Sequence, residues 1–328
     1  MYRRMSVRDA VDERSLTAVK DALDRWEDVN ERDRKLATPL HAAIWNGSME
    51  ISRLLIERGA DLEAKQIHGL TALHVACLND RVDAVRALLD QGANVNSTEK
   101  HQKTPLHYAC QRGDLVLANV LLNRGAHLEA ATEHGFTPLH LACESGHLDM
   151  VYWLFIQNAN VNAEGFQKFT PFHMACANGH VEIAHMIVDQ YFDIEAKIST
   201  GWTPLQLAAD CGHARVVQML LDRGANLDAR DNHDLTSMHI ACQSGQLEVV
   251  QLLLNQGAGV DVKTHNHWTP LHITCWEGHA NIAGLLLDRG ADVKAVTKKE
   301  LTPLFLACEN DQVEIVWLLL HRCPWLII

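Results

Sequence analysis

Apolar residues in this chain recur as short blocks separated by polar loops. In the block that begins at Thr137, Leu139 to Cys143 form a compact run ending at Gly146, and Leu148 to Ile156 follow with apolar residues at helical period. Thr137 stands where an N-cap belongs, and Pro138 takes the first helical position, where its missing N–H costs nothing. Gly146 can adopt the positive φ of a turn. The predicted unit is therefore a short helix, a glycine turn and a second, antiparallel helix. The pattern Thr-Pro-Leu-His, with small variations, then restarts at Thr38, Thr71, Thr104, Thr137, Thr170, Thr203, Thr236, Thr269 and Thr302, always 33 residues on. In most repeats the second helix stops at a glycine, as at Gly59, Gly92, Gly125, Gly224, Gly257 and Gly290. Asn158 and Tyr191 hold that place in repeats four and five, and only asparagine tolerates a left-handed backbone well. The stretch Val188 to Phe192 is accordingly expected to end its helix irregularly.

Neither helix of a unit can bury its apolar face alone, so stacking on the neighbours must supply the core. Ala10, Val11, Leu16, Val19, Leu23 and Trp26 lie at helical spacing in an otherwise charged N-terminal segment, which reads as a polar end cap. The organisation expected is a capping repeat over 1–33, nine repeats over 34–323 and an apolar tail over 324–328. The last repeat, Val313 to Arg322, and the tail lack the polar outer face that a terminal repeat needs. The tail itself, a second copy or a longer array is expected to cover that end.

The run Thr104-Pro105-Leu106-His107-Tyr108-Ala109-Cys110, followed by Gly125-Ala126 at this period, resembles the ankyrin repeat across roughly residues 31 to 323. The resemblance implies an all-α fold, an ankyrin-repeat solenoid of stacked antiparallel helix pairs with projecting β-hairpin loops. It further implies a non-catalytic protein-protein interaction scaffold or adaptor that binds a protein partner on its concave face. The histidines in one column (His41, His74, His107, His140, His173, His239, His272) are then structural braces on the adjoining turn. Gln206 and Phe305 replace that brace in repeats six and nine, where weaker loop anchoring is expected. A second reading makes the chain the substrate-recognition part of a larger protein or complex, for example a ubiquitin-ligase adaptor of the SOCS-box type.

Charge and composition narrow the partners. With 29 Lys+Arg against 41 Asp+Glu the net charge is −12 and no basic cluster offsets it, which argues against nucleic acid. The charged N-terminus lacks the apolar core of a secretory signal. No stretch approaches the roughly eighteen apolar residues of a membrane span, so no membrane insertion is expected and a cytoplasmic or nuclear location is. Cys77, Cys110, Cys143, Cys176, Cys242, Cys275 and Cys308 form one column where other repeats carry alanine, and read as reduced core filler. Cys211 is the thiol expected to react with a reagent. No nucleophile elbow, phosphate loop, zinc helix or kinase signature occurs, so neither an enzyme nor a cofactor or metal is expected.

Specificity should lie where the repeats differ. In the family those positions are the residues four, three and one before each Thr and the seventh and eighth after it. Here the position before Thr carries Phe136, Phe169, Trp202, Leu235 and Trp268, the seventh after it adds Trp45 and Trp276, and Glu133, His134, Glu144, Asp210 and Glu277 form a mostly acidic rim. Aromatic anchors ringed by polar groups resemble a binding hot spot for a partner with apolar anchors and basic flanks. Self-association through the C-terminal repeat is the other expected contact.

Overall fold

The structure, a computed structural model, describes residues 5–190 and 193–323. Among the described residues are twenty α-helices and no strand. The chain divides into two compact units, Met1–Phe166 and Gln167–Ile328.

Each repeat folds as its sequence dictates. In the N-terminal unit, repeat three forms Pro105–Arg112 and Leu115–Asn123; in the C-terminal unit, repeat six forms Pro204–Asp210 and Ala214–Asp222. The N-cap threonines are extended, with φ −92° and ψ 167° at Thr104, and the proline after them opens the helix. The turn between the helices runs through a left-handed glycine, Gly113 at φ 71° and Gly212 at φ 77°. Sterics add to the conformational demand there: a Cβ on Gly113 would lie 2.7 Å from the His147 ring of the next repeat. At the end of the second helix only conformation matters, since a Cβ on Gly224 (φ 85°) would meet nothing within 4 Å. Asn158 takes φ 62° at the equivalent place in repeat four, using the tolerance that asparagine has for this region. The second helix of repeat five is Val181–Val188; Tyr191 and Phe192, on which the irregular ending was expected, lie outside the described residues.

Within each unit, first helices stack on first helices and second on second. The core they enclose is narrow and apolar. Leu106, Ala109, Cys110, Leu117, Ala118 and Leu121 are fully buried in repeat three, and Leu205, Ala208, Ala209, Val216, Val217 and Leu220 repeat the arrangement in repeat six. The N-terminal segment forms Val7–Asp12, capped by Ser6, and Leu16–Asp24, which bury Val7, Ala10, Val11, Val19 and Ala22. Trp26 does not join them: it follows the helix at φ 65° and is exposed.

The projecting loops are hairpin turns. Gln66 N–H donates to the Leu70 carbonyl at 3.0 Å, and most loops give one backbone bond to the loop before them, as from Lys100 to His68 (3.1 Å) and from Asn232 to Thr200 (3.2 Å). One bond per neighbour is too few for a strand ladder, so the loops carry hairpin geometry without strands.

Candidate protein-binding surface

Three columns of polar side chains hold the loops against the helices. In the first, the Thr104 N–H (3.1 Å) and hydroxyl (2.9 Å) both point at His107 Nδ1, and His107 Nε2 donates to the Phe136 carbonyl at 3.0 Å. The accepting Nδ1 fixes the proton on Nε2. The same bridge runs from His41 to Leu70, from His74 to Lys103, from His272 to Leu301, and from His239 to both Val262 and Trp268. Both ring nitrogens are thus committed to the fold. Burial pushes the imidazoles of His74, His107 and His239 down to about 4, although their bonds to the loop carbonyls work the other way.

The weaker anchoring expected of Gln206 is not what the structure shows. Its Oε1 accepts the Thr203 N–H at 2.9 Å, and its Nε2 donates to the carbonyls of Ala229 (3.2 Å) and Leu235 (2.9 Å), so the amide reproduces the imidazole. Phe305 has no such group, and 50% of it is exposed. A second histidine column, after the turn glycine, reaches back one repeat: His147 Nε2 donates to Gln111, His213 to Ala177 and His279 to Gln243. The third column, five residues before each Thr, escaped the sequence reading. Asp231 accepts the N–H groups of His233 (2.9 Å) and Leu235 (2.8 Å), and the Thr264 hydroxyl accepts that of Trp268 (3.1 Å). Its signal was an Asp, Glu or Thr at a fixed offset, as at Asp33, Glu99 and Thr132.

On this frame the C-terminal unit brings four of the candidate residues together. Leu235, Trp268, Trp276 and Glu277 line a cleft of about 280 Å³ that Gln243 and Asn266 also border. Trp268 and Trp276 meet edge to face, with ring centres 5.9 Å apart. Trp276 remains 42% exposed, on the helix Pro270–Glu277. Other candidates in this unit serve the fold. The Trp202 indole N–H donates to Asp231 Oδ2 at 2.9 Å, Asp210 accepts the Ser244 hydroxyl at 2.5 Å, and Phe169 lies over its own repeat's His173 at 5.9 Å.

In the N-terminal unit, His134 sits between Phe136 (6.3 Å) and Phe166 (5.8 Å), and Glu133 pairs with His101 at 2.5 Å. Phe136 packs into the space left by Gly165, where a Cβ would come within 2.3 Å of its ring. Glu144 is exposed on its helix. Trp45, 63% exposed, borders a larger groove of about 530 Å³ with Arg8, Arg34 and Lys35.

The cysteine column is buried at Cys77, Cys110, Cys143, Cys176, Cys242 and Cys275, and burial raises the thiols of Cys77, Cys110, Cys143, Cys242 and Cys275. Cys308 departs from the expectation of core filler. It is exposed, because repeat nine has no following repeat among the described residues. Cys211 is exposed as expected, but partial burial and then Asp210 raise its pKa, which slows thiolate chemistry. Trp317 is 71% exposed on the same terminal repeat, and the tail expected to cover that end, 324–328, lies outside the described residues. Among the described residues no three His, Cys, Asp or Glu side chains converge on one point, and no helix is long and apolar enough to cross a membrane.

Comparison with known families places this architecture. A family model described as ankyrin repeats in three copies matches residues 8–99, 96–165, 164–231 and 238–324, and a second, described as ankyrin repeats in many copies, matches 212–254. The chain belongs to the ankyrin repeat family. Among solved structures it is similar to the human ASB11 ankyrin repeat domain, at 31% identity and a TM-score of 0.61 over 68% of this chain and 99% of that one. No curated protein matches the sequence. Ankyrin repeats indicate a protein-protein interaction scaffold, a fold that typically binds rather than catalyses. The braces described above recur in most of the repeats of this chain, and the side chains they leave outside differ from repeat to repeat.

Proposed function

We propose that this ankyrin-repeat chain is a non-catalytic adaptor and that its C-terminal unit captures a protein partner in the cleft of Leu235, Trp268 and Trp276. The observation that carries the reading is the Trp268–Trp276 pair, two large aromatics in edge contact, of which Trp276 is exposed while Trp268 also rests against His272, beside the exposed carboxylate of Glu277. Rigid aromatic surface of this kind, rimmed by charge, is where interface energy concentrates. The partner is read as presenting one apolar side chain to the tryptophans and a basic residue to Glu277.

Panning a peptide library against the intact chain tests this. Recovered peptides should share an apolar anchor with a basic flank and lose about a hundredfold in affinity for a Trp268→Ala/Trp276→Ala variant, the equivalent of two hot-spot residues. Peptides that bind both proteins equally would remove the cleft from consideration. The second reading, recognition within a larger assembly such as a SOCS-box ubiquitin ligase, draws support from the likeness to the human ASB11 ankyrin repeat domain. Co-purification with ligase components is the result that favours it. Both readings place the chain in the cytosol or nucleus.

A further inference from the structure

The groove around Trp45 in the N-terminal unit has a chemistry opposite to that of the cleft. Its wall is built on Arg8, whose Nε lies 3.3 Å from Asp12 and whose Nη2 lies 3.3 Å from Asp33. The remaining Nη1 donates to the carbonyls of Ala37 (3.4 Å) and Thr38 (3.3 Å). Asp33 in turn accepts the N–H groups of Lys35 (2.7 Å) and Ala37 (2.9 Å), closing its loop. Of the two carboxylates that line the groove, Asp33 is therefore tied to Arg8 and to the backbone, and Asp12 is paired with Arg8. Beneath them His41 is buried with both ring nitrogens bonded, and Asn46 and Gln66 also border the groove.

What projects is different. Arg34 and Lys35 are exposed, and neither forms an ion pair among the described residues, in a chain whose net charge is −12. Trp45 stands beside them with most of its indole open to water, and Leu36 and Ile67 are exposed on the adjoining loop tips. These residues occupy the positions four, three and seven from Thr38 that carry Trp276 and its neighbours in repeat eight. At about 530 Å³ the groove is of a size that takes several side chains. Two unpaired cations are too few to hold a phosphate backbone against a strongly acidic chain, whereas a short acidic segment needs no more than that.

We propose that this groove is a second docking surface, whose occupant is an acidic linear segment of a partner protein that rests one apolar side chain on Trp45 and its carboxylates on Arg34 and Lys35. It is independent of the Trp268 cleft, with which it shares repeat positions but neither residues nor charge. The test is fluorescence anisotropy of the full chain with a fluorescein-labelled peptide carrying one leucine among glutamates and aspartates, beside its lysine-flanked counterpart. The acidic peptide should bind, weaken as salt is raised, and lose about tenfold in affinity for Arg34→Glu/Lys35→Glu, the sum of two exposed attractions removed and two repulsions added. Trp45→Ala should cost a similar factor, and Trp268→Ala/Trp276→Ala should cost nothing. Arg34→Ala/Lys35→Ala, whose exposed side chains hold nothing, should lose about threefold with unchanged circular dichroism. No binding of the acidic peptide, binding unaltered by the charge reversal, or equal binding of the lysine-flanked peptide would each overturn the proposal.

Discussion

Trp202 and Trp268 stand at the same position of their repeats, and the molecule uses them for different ends. The Trp202 indole reaches the next loop and gives its N–H to Asp231, the side chain that also gathers the N–H groups of His233 and Leu235. That tryptophan is part of the frame. For Trp268 the residue in register with Asp231 is Thr297, whose hydroxyl is taken by the N–H groups of Lys299 (3.3 Å) and Leu301 (3.2 Å) of its own loop. Lacking a carboxylate to seize it, the Trp268 ring turns against Trp276 and shapes a cleft. One side chain five residues before the next Thr thus decides whether the indole is tied to the frame or left to pack beside the cleft. The loop that Trp202 reaches and the loop of Trp268 are also braced differently. The loop of Leu235 hangs from an amide, Gln206, and the loop of Trp268 from an imidazole, His239.

Acid should separate the two loops first and most strongly. Burial holds His239 down to about 4 in the folded chain, against an ordinary imidazole value near 6.5. Between those values the unfolded chain takes up a proton that the folded one refuses, so stability is full above about pH 6.5 and falls as the pH drops towards 4. The loss amounts to about 3 kcal/mol for this one group. Hydrogen exchange followed from pH 7 down to 4.5 should show the N–H groups of the Trp268 loop losing protection, with those of the Leu235 loop holding. Equal loss in both loops would erase the distinction between amide and imidazole braces.

Trp202→Ala comes next in size. Losing the half-buried ring and leaving Asp231 short of a donor should cost about 2 kcal/mol in urea denaturation. Peptides selected on the cleft should still bind within about threefold, a shift of under 1 kcal/mol. A variant that keeps its stability but loses those peptides would reverse the roles assigned to the two tryptophans. The smallest effect belongs to Gln206→His. An imidazole can make the same Thr203 and Leu235 bonds, so stability at pH 7 should move by no more than about 0.5 kcal/mol. The Leu235 loop should then acquire the acid sensitivity of its neighbour, and a loop that stays protected at pH 4.5 would argue that burial at this site differs from burial at His239.

Much of the fold was open to view in the residues. The Thr-Pro start, the turn glycines and the fixed spacing are local rules of backbone conformation, so helix pairs followed from them without tertiary knowledge. Asn158 could stand in for a glycine on the same grounds. The candidate site was legible only as columns. Sequence put Phe136, Phe169, Trp202, Leu235 and Trp268 in one column and offered no means of ranking them, because each can pack inward or face a partner. It also gave Gln206 the wrong consequence, reading a missing imidazole as a missing brace when an amide offers one acceptor and two donors of similar reach.

What the sequence by itself determined is the period, the helix pair, the caps and the membership of the ankyrin repeat family, since these rest on neighbours within a few residues and on strict repetition. Tertiary structure alone decided which aromatics remain available. Phe136 is spent on the gap at Gly165, Trp202 on Asp231, and the Trp268–Trp276 pair is left facing outward. Likewise it alone showed that Arg8 neutralises Asp12 and Asp33 and leaves Arg34 and Lys35 unpaired. The physical reason is one of distance. A side chain's hydrogen-bond partner lies about thirty residues away in the next repeat, and whether that partner is a carboxylate, a hydroxyl or a bare glycine is settled only when the repeats stack.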